Sequence, residues 1–454
     1  MAALSTAHSA ALAALIDRCP ERVLATLVRV VPQMGGDKAT ELAAMLEAET
    51  IARRRRSLAF APLLPLFQPR ADGVEHLGFP TGVLPRLWRA AIGGDRSLLP
   101  ILDDNEGADA DRVADRLCST AAGAVRDRPD VIWPPELAPD ARQTGLIELA
   151  ACLDLAHLAR GGVRQLPEWL NGQGEDQIAG LRLLLRDASA VAPDGAARMI
   201  EILFAHLADA PAILRIVTQT SRVAAREDFL GGSELADFVA RIIRAVGRRV
   251  DRVAAFNPAG DGPAVGGVVE DVRWCAEALT QLDITLERNP QGDWSRDIRT
   301  ARLAMAERIG VWIKAGERAM AEAAPRTRSR TGGRSALREA EVDRAVEPGV
   351  VASATAWARL LAALRGPAAV FGAEAERRTR AEALVAQLSD WADEAIVAIN
   401  GGEVANEAKA LDRVTEVAGL LEALDAADPA RTVRRRVAVA GVGREAVRAS
   451  PEGF

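Results

Sequence analysis

The 454-residue chain contains no tyrosine, which removes mechanisms that need a phenolic acid or base. Lysine occurs only as Lys38, Lys314 and Lys409, none after a glycine-rich loop, so the G-K-[ST] end of a phosphate-binding loop is missing. Four histidines and four cysteines are all the chain has of either. They form no C-x-x-C, no H-E-x-x-H and no clustered ligand set, so neither a metal site nor a cofactor is expected. Cys118, Cys152 and Cys275 sit in apolar, helical-looking stretches where a free thiol behaves as a small hydrophobe, and Cys19 precedes Pro20 at a helix boundary. Nothing suggests a disulfide framework, so a reducing compartment is the expectation.

Long hydrophobic runs are also missing. No stretch approaches the roughly 20 apolar residues of a membrane span. The N-terminus lacks a basic leader, and Asp17 interrupts its Ala/Leu run. A soluble, cytoplasmic protein is therefore expected. The net charge of -6 is small for this length and argues against nucleic-acid binding by the whole surface, leaving room for a local basic patch. Nearly all positive charge is arginine. A GC-rich coding sequence explains that bias most simply, and selection for forked hydrogen bonds is the alternative.

What the chain does have is amphipathic helix. Over 233–320 three helices follow one another, each with one apolar stripe. The first carries Leu235, Val239, Ile242, Val246, Val250 and Val253, opened by Gly231, Gly232 and a Ser233 cap and closed by Asn257-Pro258. The second carries Val268, Val272, Cys275, Leu279, Leu282 and Leu286, and the third Ala301, Met305, Ile309, Trp312 and Met320. Single-faced helices of this length are unstable alone, so the three should bury their stripes against one another.

The rest of the chain reads in the same style. Two short helices over 9–31 are split at Cys19-Pro20, with Val23, Leu24, Leu27 and Val31 continuing the apolar pattern, and a further helix follows Gly35-Gly36. A helix over 144–160 is expected to stop at Gly161-Gly162, and others are expected over 175–191 and around Met199 to Leu207. Near the C-terminus, Leu384, Leu388, Trp391, Ala395 and Ile399 mark a long helix that turns at Gly401-Gly402 into a second, an antiparallel hairpin. The tryptophans Trp274, Trp312, Trp357 and Trp391 fall in such stripes and read as packing anchors.

The fold class expected is all-α: multi-helical, built of antiparallel bundle or hairpin units, with a solenoid-like style in the N-terminal half but no fixed repeat. Five segments follow: N-terminal helices at 1–69, an irregular connector plus helices at 70–230, the central three-helix unit at 231–324, an arginine-rich hinge at 325–349, and a C-terminal hairpin with tail at 350–454.

Candidate chemistry is thin. Val437 to Ala440 could form a strand before Gly441-Val442-Gly443-Arg444-Glu445-Ala446, which fits G-x-G-x-x-A, but only eight residues follow, too few for a dinucleotide fold. His157 has Asp154 on the same helix face, an arrangement suited to an ion pair near a helix end, and His206 reads as a core-edge residue. A Cys118 nucleophile paired in the fold with His157 or His206 is the one enzymatic arrangement left open. Two arginine-rich segments are candidate contacts for an anionic partner. Arg53, Arg54, Arg55 and Arg56 precede a Pro-broken apolar stretch. Arg326, Arg328, Arg330, Arg334 and Arg338 surround Gly332-Gly333, in a segment read first as a solvated flexible hinge. The leading expectation is a non-enzymatic cytoplasmic scaffold or adaptor with an unidentified protein partner. A regulator of nucleic acid or an anionic surface comes second and a helical enzyme third. Homo-oligomerisation is left open.

Overall fold

In the computed structural model, which describes residues 6–17, 19–93, 96–103, 107–171, 174–219, 236–257, 265–287, 289–328 and 338–448, the apolar periodicities become helices. Helix makes up 81% of the described residues, and the fold is all-α. Contacts divide it into a first unit, Met1–Ala225 with Phe229–Phe238, and a second, Arg226–Asp228 with Val239–Phe454.

The first unit opens with α1 (Thr6–Asp17), α2 (Glu21–Val30) and α3 (Asp37–Ala59). Pro20 occupies the position before α2, where its fixed φ suits a helix start. Ile16, Leu24, Val31 and Leu46 form a small core of their own beneath these helices. The Pro-rich stretch after α3 is a 3-10 turn, Ala61–Phe67, with Leu63, Leu66 and Phe67 buried. Short helices α4 (Val83–Ile92) and α5 (Leu99–Asp103) lead to α6 (Ala108–Asp127), whose Val113, Leu117, Cys118, Ala121 and Val125 are buried. One-turn α7 (Pro129–Ile132) precedes α8 (Arg142–Asp154), α9 (Ala156–Asn171), α10 (Glu175–Val191), α11 (Gly195–His206) and α12 (Ile213–Gln219). The 3-10 turn packs back on α11, well over a hundred residues away in the chain, a closure unlike the neighbour-only packing of a solenoid.

The helix expected over 144–160 is corrected. The chain breaks at Leu155, and α9 runs on through Gly161, Gly162 and Pro167. Packing explains why Gly162 does not end the helix. A Cβ there would lie 2.8 Å from Leu184 Cδ2, so glycine admits a close neighbour rather than stopping the chain.

In the second unit, α13 (Ala236–Ala255, from Val239 on), α14 (Val265–Thr285) and α15 (Asp293–Ala323) bury their stripes almost throughout; only Val250 is half-exposed. Gly231, Gly232, Ser233 and Leu235 lie outside the described residues. The helices interlock as expected. Cys275 Sγ faces the Val246 carbonyl at 3.9 Å, Arg249 stacks on the Trp274 ring at 3.6 Å, and Phe256 meets Trp312 edge-on. The third helix does more than close this trio. It also packs along α16 (Pro348–Ala363), where Gly316 sits so close to Leu361 that a Cβ would come within 2.9 Å.

The expected flexible hinge is fastened on both described flanks. Arg326–Arg328 and Arg338–Ala340 pair as a two-stranded antiparallel ribbon, β1 and β2. It is held against α18 (Glu374–Gly401), which follows one-turn α17 (Pro367–Val370). Trp391 Nε1 donates to the Pro325 carbonyl at 2.8 Å, and Glu394 accepts from Arg326 at 2.8 Å and from the Ala340 amide at 2.9 Å. α18 turns at Gly402 into α19 (Glu407–Ala423), capped by Asn406, and then α20 (Ala427–Arg448). Val437 to Ala440 are helical, not a strand, so the strand–loop–helix context of G-x-G-x-x-A is overturned. Among the described residues no helix is long and apolar enough to cross a membrane.

Candidate interaction site

The arginines show where the positive charge goes. Arg53 lies near the C-terminal end of α3 and reaches across to the turn after α1. Its Nε meets Glu49 at 2.9 Å, Nη1 meets Glu21 at 2.9 Å, and Nη2 donates to the carbonyls of Ile16 at 2.9 Å and Cys19 at 2.8 Å. Burial alone would lower its pKa, but bonds to Glu49 and Glu21 raise it. Arg55 makes a forked pair with Asp103 at 2.9 and 2.5 Å. Arg56 is half-buried; burial, helped by the charge of Arg53, lowers its pKa against the pull of Glu49 and Asp17. Only Arg54 of the four is exposed. In the other segment Arg326 holds Glu394 and the Gln387 carbonyl. Arg328 and Arg338 face each other across the ribbon backbone, while their side chains, and Arg330 and Arg334 entirely, lie outside the described residues.

Arg53 is one case of a wider pattern. A helix leaves its last carbonyls without amide partners, and a forked cation answers both their hydrogen-bonding and their dipole. Arg160 donates to the carbonyl of Ala59, the last residue of α3, at 3.2 Å, and Arg377 to Leu361 near the end of α16 at 3.3 Å. Arg70 serves Phe204 near the end of α11, Arg308 serves Phe256 just past α13, and Arg413 serves Ala323 at the end of α15. Arg160, Arg308, Arg377 and Arg413 tie one helix to the end of another, and Arg70 ties the stretch after the Pro-rich turn to the end of α11.

Cys118, His157 and His206 each bond a backbone carbonyl. Cys118 is buried, its Sγ lies 3.4 Å from the Ala59 carbonyl, and burial pushes its pKa up to about 12. Burial likewise raises Cys275 to about 12 and Cys152 further. His206 Nε2 donates to the Pro62 carbonyl at 2.8 Å, and His76 Nε2 to the Pro65 carbonyl at 3.2 Å, so both hold the Pro-rich turn. The expected His157–Asp154 ion pair is corrected. The ring bonds the Asp154 backbone carbonyl at 2.9 Å, while the Asp154 carboxylate pairs with Arg126. Cys19, half-exposed, should be alkylated first by iodoacetamide at pH 8, with Cys118, Cys152 and Cys275 unmodified in the native protein. Peptide mass spectrometry reads this, and fast labelling of Cys118 would contradict the burial. Among the described residues no group of three or more His, Cys, Asp or Glu is placed to hold a metal.

The first unit has a cleft of about 900 Å³ lined by Asp17, Glu49, Arg86, Arg89 and Glu136 among others. Its charges are largely engaged already, Asp17 with Arg89 and Glu49 with Arg53. A different surface carries unengaged groups. Leu24 of α2 and Val31, which opens the 3-10 turn after it, belong to the small core at 1% and 3% exposure, yet Val23 and Val30 are 46% and 43% exposed. At about 100° per residue, Val23, half-buried Leu27 and Val30 share one stripe, and Met34, 72% exposed, ends the 3-10 turn Val31–Met34 that follows. The apolar arc of α2 is wider than the core can cover. Arg22 and Arg29 stand one heptad apart, about 100° or more round the helix from this stripe and on its open side, exposed and without a partner among the described residues. Apolar periodicity alone marks Val23 as core. The signal that separates it is the breadth of the arc, since one neighbouring helix covers only part of it.

Compared with known proteins, the chain matches no family model, no curated protein and no solved structure.

Proposed function

We propose that this protein is a non-enzymatic helical scaffold or adaptor that acts through protein–protein contacts, with α2 as a docking face. The observation that carries the reading is the uncovered stripe of Val23, Leu27 and Val30 beside two unengaged arginines. A single exposed valine is ordinary, but a row of apolar residues with a charged edge suits helix-on-helix recognition. Several of the protein's own reactive groups support the same view: Cys118, Cys152 and Cys275 are buried with raised pKa values and two histidines are tied to backbone carbonyls.

The test compares tagged wild-type protein with Val23→Asp/Val30→Asp as bait in native lysate, each with and without nuclease, after circular dichroism has shown equal helix content. The expected result is a nuclease-resistant protein partner recovered with the wild type and reduced at least about tenfold with the variant, the order expected when charges enter an apolar interface centre. Identical recovery by both baits would overturn the reading.

A second reading, binding of nucleic acid or an anionic surface, rests on Arg54 and on the exposed run Arg434, Arg435 and Arg436 of α20. Arg434 and Arg436 pair with exposed Glu422 and Asp393, bridges that contribute little and are screened by salt.

A further inference from the structure

Resting on the scaffold reading, we infer that the partner of α2 is an acidic amphipathic helix, with aliphatic residues at i, i+3 or i+4 and i+7 and Glu or Asp along one edge. The stripe is a two-turn seam, Val23 and Val30 a heptad apart with Leu27 between them. Residues flanking such a seam select the partner by charge. On α2 Thr26 flanks the seam on its open side, and Arg22 and Arg29 lie one position further round on that side, all three exposed. Glu21, the acid of this helix, is turned to Arg53. The free edge is therefore cationic, and its complement is a row of carboxylates.

Two other occupants fit less well. A second copy laid antiparallel would bring like edges together, setting Arg22 and Arg29 against the copy's own arginines. A parallel copy would need the opposite flank, which α3 covers where Leu24, Val31 and Leu46 pack. A lipid surface would meet a helix of ten residues with two free arginines and no aromatic side chain, a short and weakly basic face for interfacial binding.

The probes are three labelled synthetic helices of about 18 residues, long enough to overlay α2. They share leucines at the seam positions and carry Glu, Gln or Lys along the edge. Fluorescence anisotropy at low salt is expected to show the Glu peptide binding about tenfold tighter than the Gln peptide, the order of two partly exposed ion pairs acting together. Arg22→Gln/Arg29→Gln should erase that difference, Arg22→Glu/Arg29→Glu should turn the preference to the Lys peptide, and added salt should shrink it. Neither arginine bonds another described side chain, so these variants should keep the wild-type fold, which circular dichroism checks.

Equal binding of the Glu and Gln peptides would overturn the acidic-edge assignment. So would binding to phosphatidylserine vesicles that Arg22→Gln/Arg29→Gln abolishes, or a dimer in sedimentation that Val23→Asp dissolves. Each of these leaves the scaffold reading to stand or fall separately on whether Val23→Asp/Val30→Asp removes a protein partner from lysate.

Discussion

Replacing Trp391 by alanine is expected to destabilise the second unit by about 3–5 kcal/mol, the usual range for removing a fully buried aromatic side chain. Trp391 is 0% exposed on α18, between the apolar row of Leu384 and Leu388 and that of Ala395 and Ile399. Its Nε1 also holds the Pro325 carbonyl, the point where the chain leaves α15 for β1. The alanine variant should lose amide protection in α18 and the ribbon together, read by hydrogen exchange with mass spectrometry. Trp391→Phe separates the two contributions. It keeps most of the ring volume and removes one donor from a carbonyl that still accepts from the Glu341 amide at 3.0 Å. Its cost should be about 1–2 kcal/mol. Loss of protection confined to 326–340, with α18 unchanged, would contradict the anchoring role of the indole.

Arg53→Ala should cost about 2–3 kcal/mol, whereas Arg54→Ala should change stability by less than about 0.5 kcal/mol. The neighbours differ in what they touch. Arg53 removal strands Glu49, only 18% exposed, and takes the donors from carbonyls at the end of α1. Its bond to Glu21, 74% exposed, contributes little and is not counted in that figure. The expected consequence is local: α1 and the start of α2 should exchange faster, with α6 unaffected. Arg53→Lys should recover only part of the loss, because an ammonium cannot reach two carboxylates and a row of carbonyls in forked geometry. Equal effects of Arg53→Ala and Arg54→Ala would show that the guanidinium does not hold the α1–α2 turn. The α2 docking face depends on this clamp, so Arg53→Ala should also weaken binding of the Glu-edged peptide.

Much of the fold was legible in the chain because helix is a local structure. The stripes from Val239 to Val253, Val268 to Leu286 and Leu384 to Ile399 need only the 3.6-residue period, and nearly all of those residues are buried. The misplaced end at Gly161-Gly162 marks the limit of local rules. Leu184 belongs to another helix, and its approach to Gly162 is invisible in the residues around that glycine. The ribbon flanking the expected hinge likewise depends on Trp391 and Glu394, more than fifty residues away from it.

The candidate site was less legible. In sequence Arg53, Arg54, Arg55 and Arg56 form one cationic run, and Val23 and Leu24 belong to one apolar pattern. The sequence by itself determined that the chain is helical, where most helices begin and end, and that catalytic motifs of familiar spacing are missing. Only the tertiary structure decided which charges and which apolar faces remain available. It engages Arg53 with Glu21, Glu49 and the end of α1 and leaves Arg54 exposed; it buries Leu24 and leaves Val23 and Arg22 at the surface. The reason is geometric. Helix periodicity fixes which residues share a face, but whether that face meets another helix or water depends on segments distant in the chain, and an arginine's role follows from the carbonyls and carboxylates those segments bring within reach.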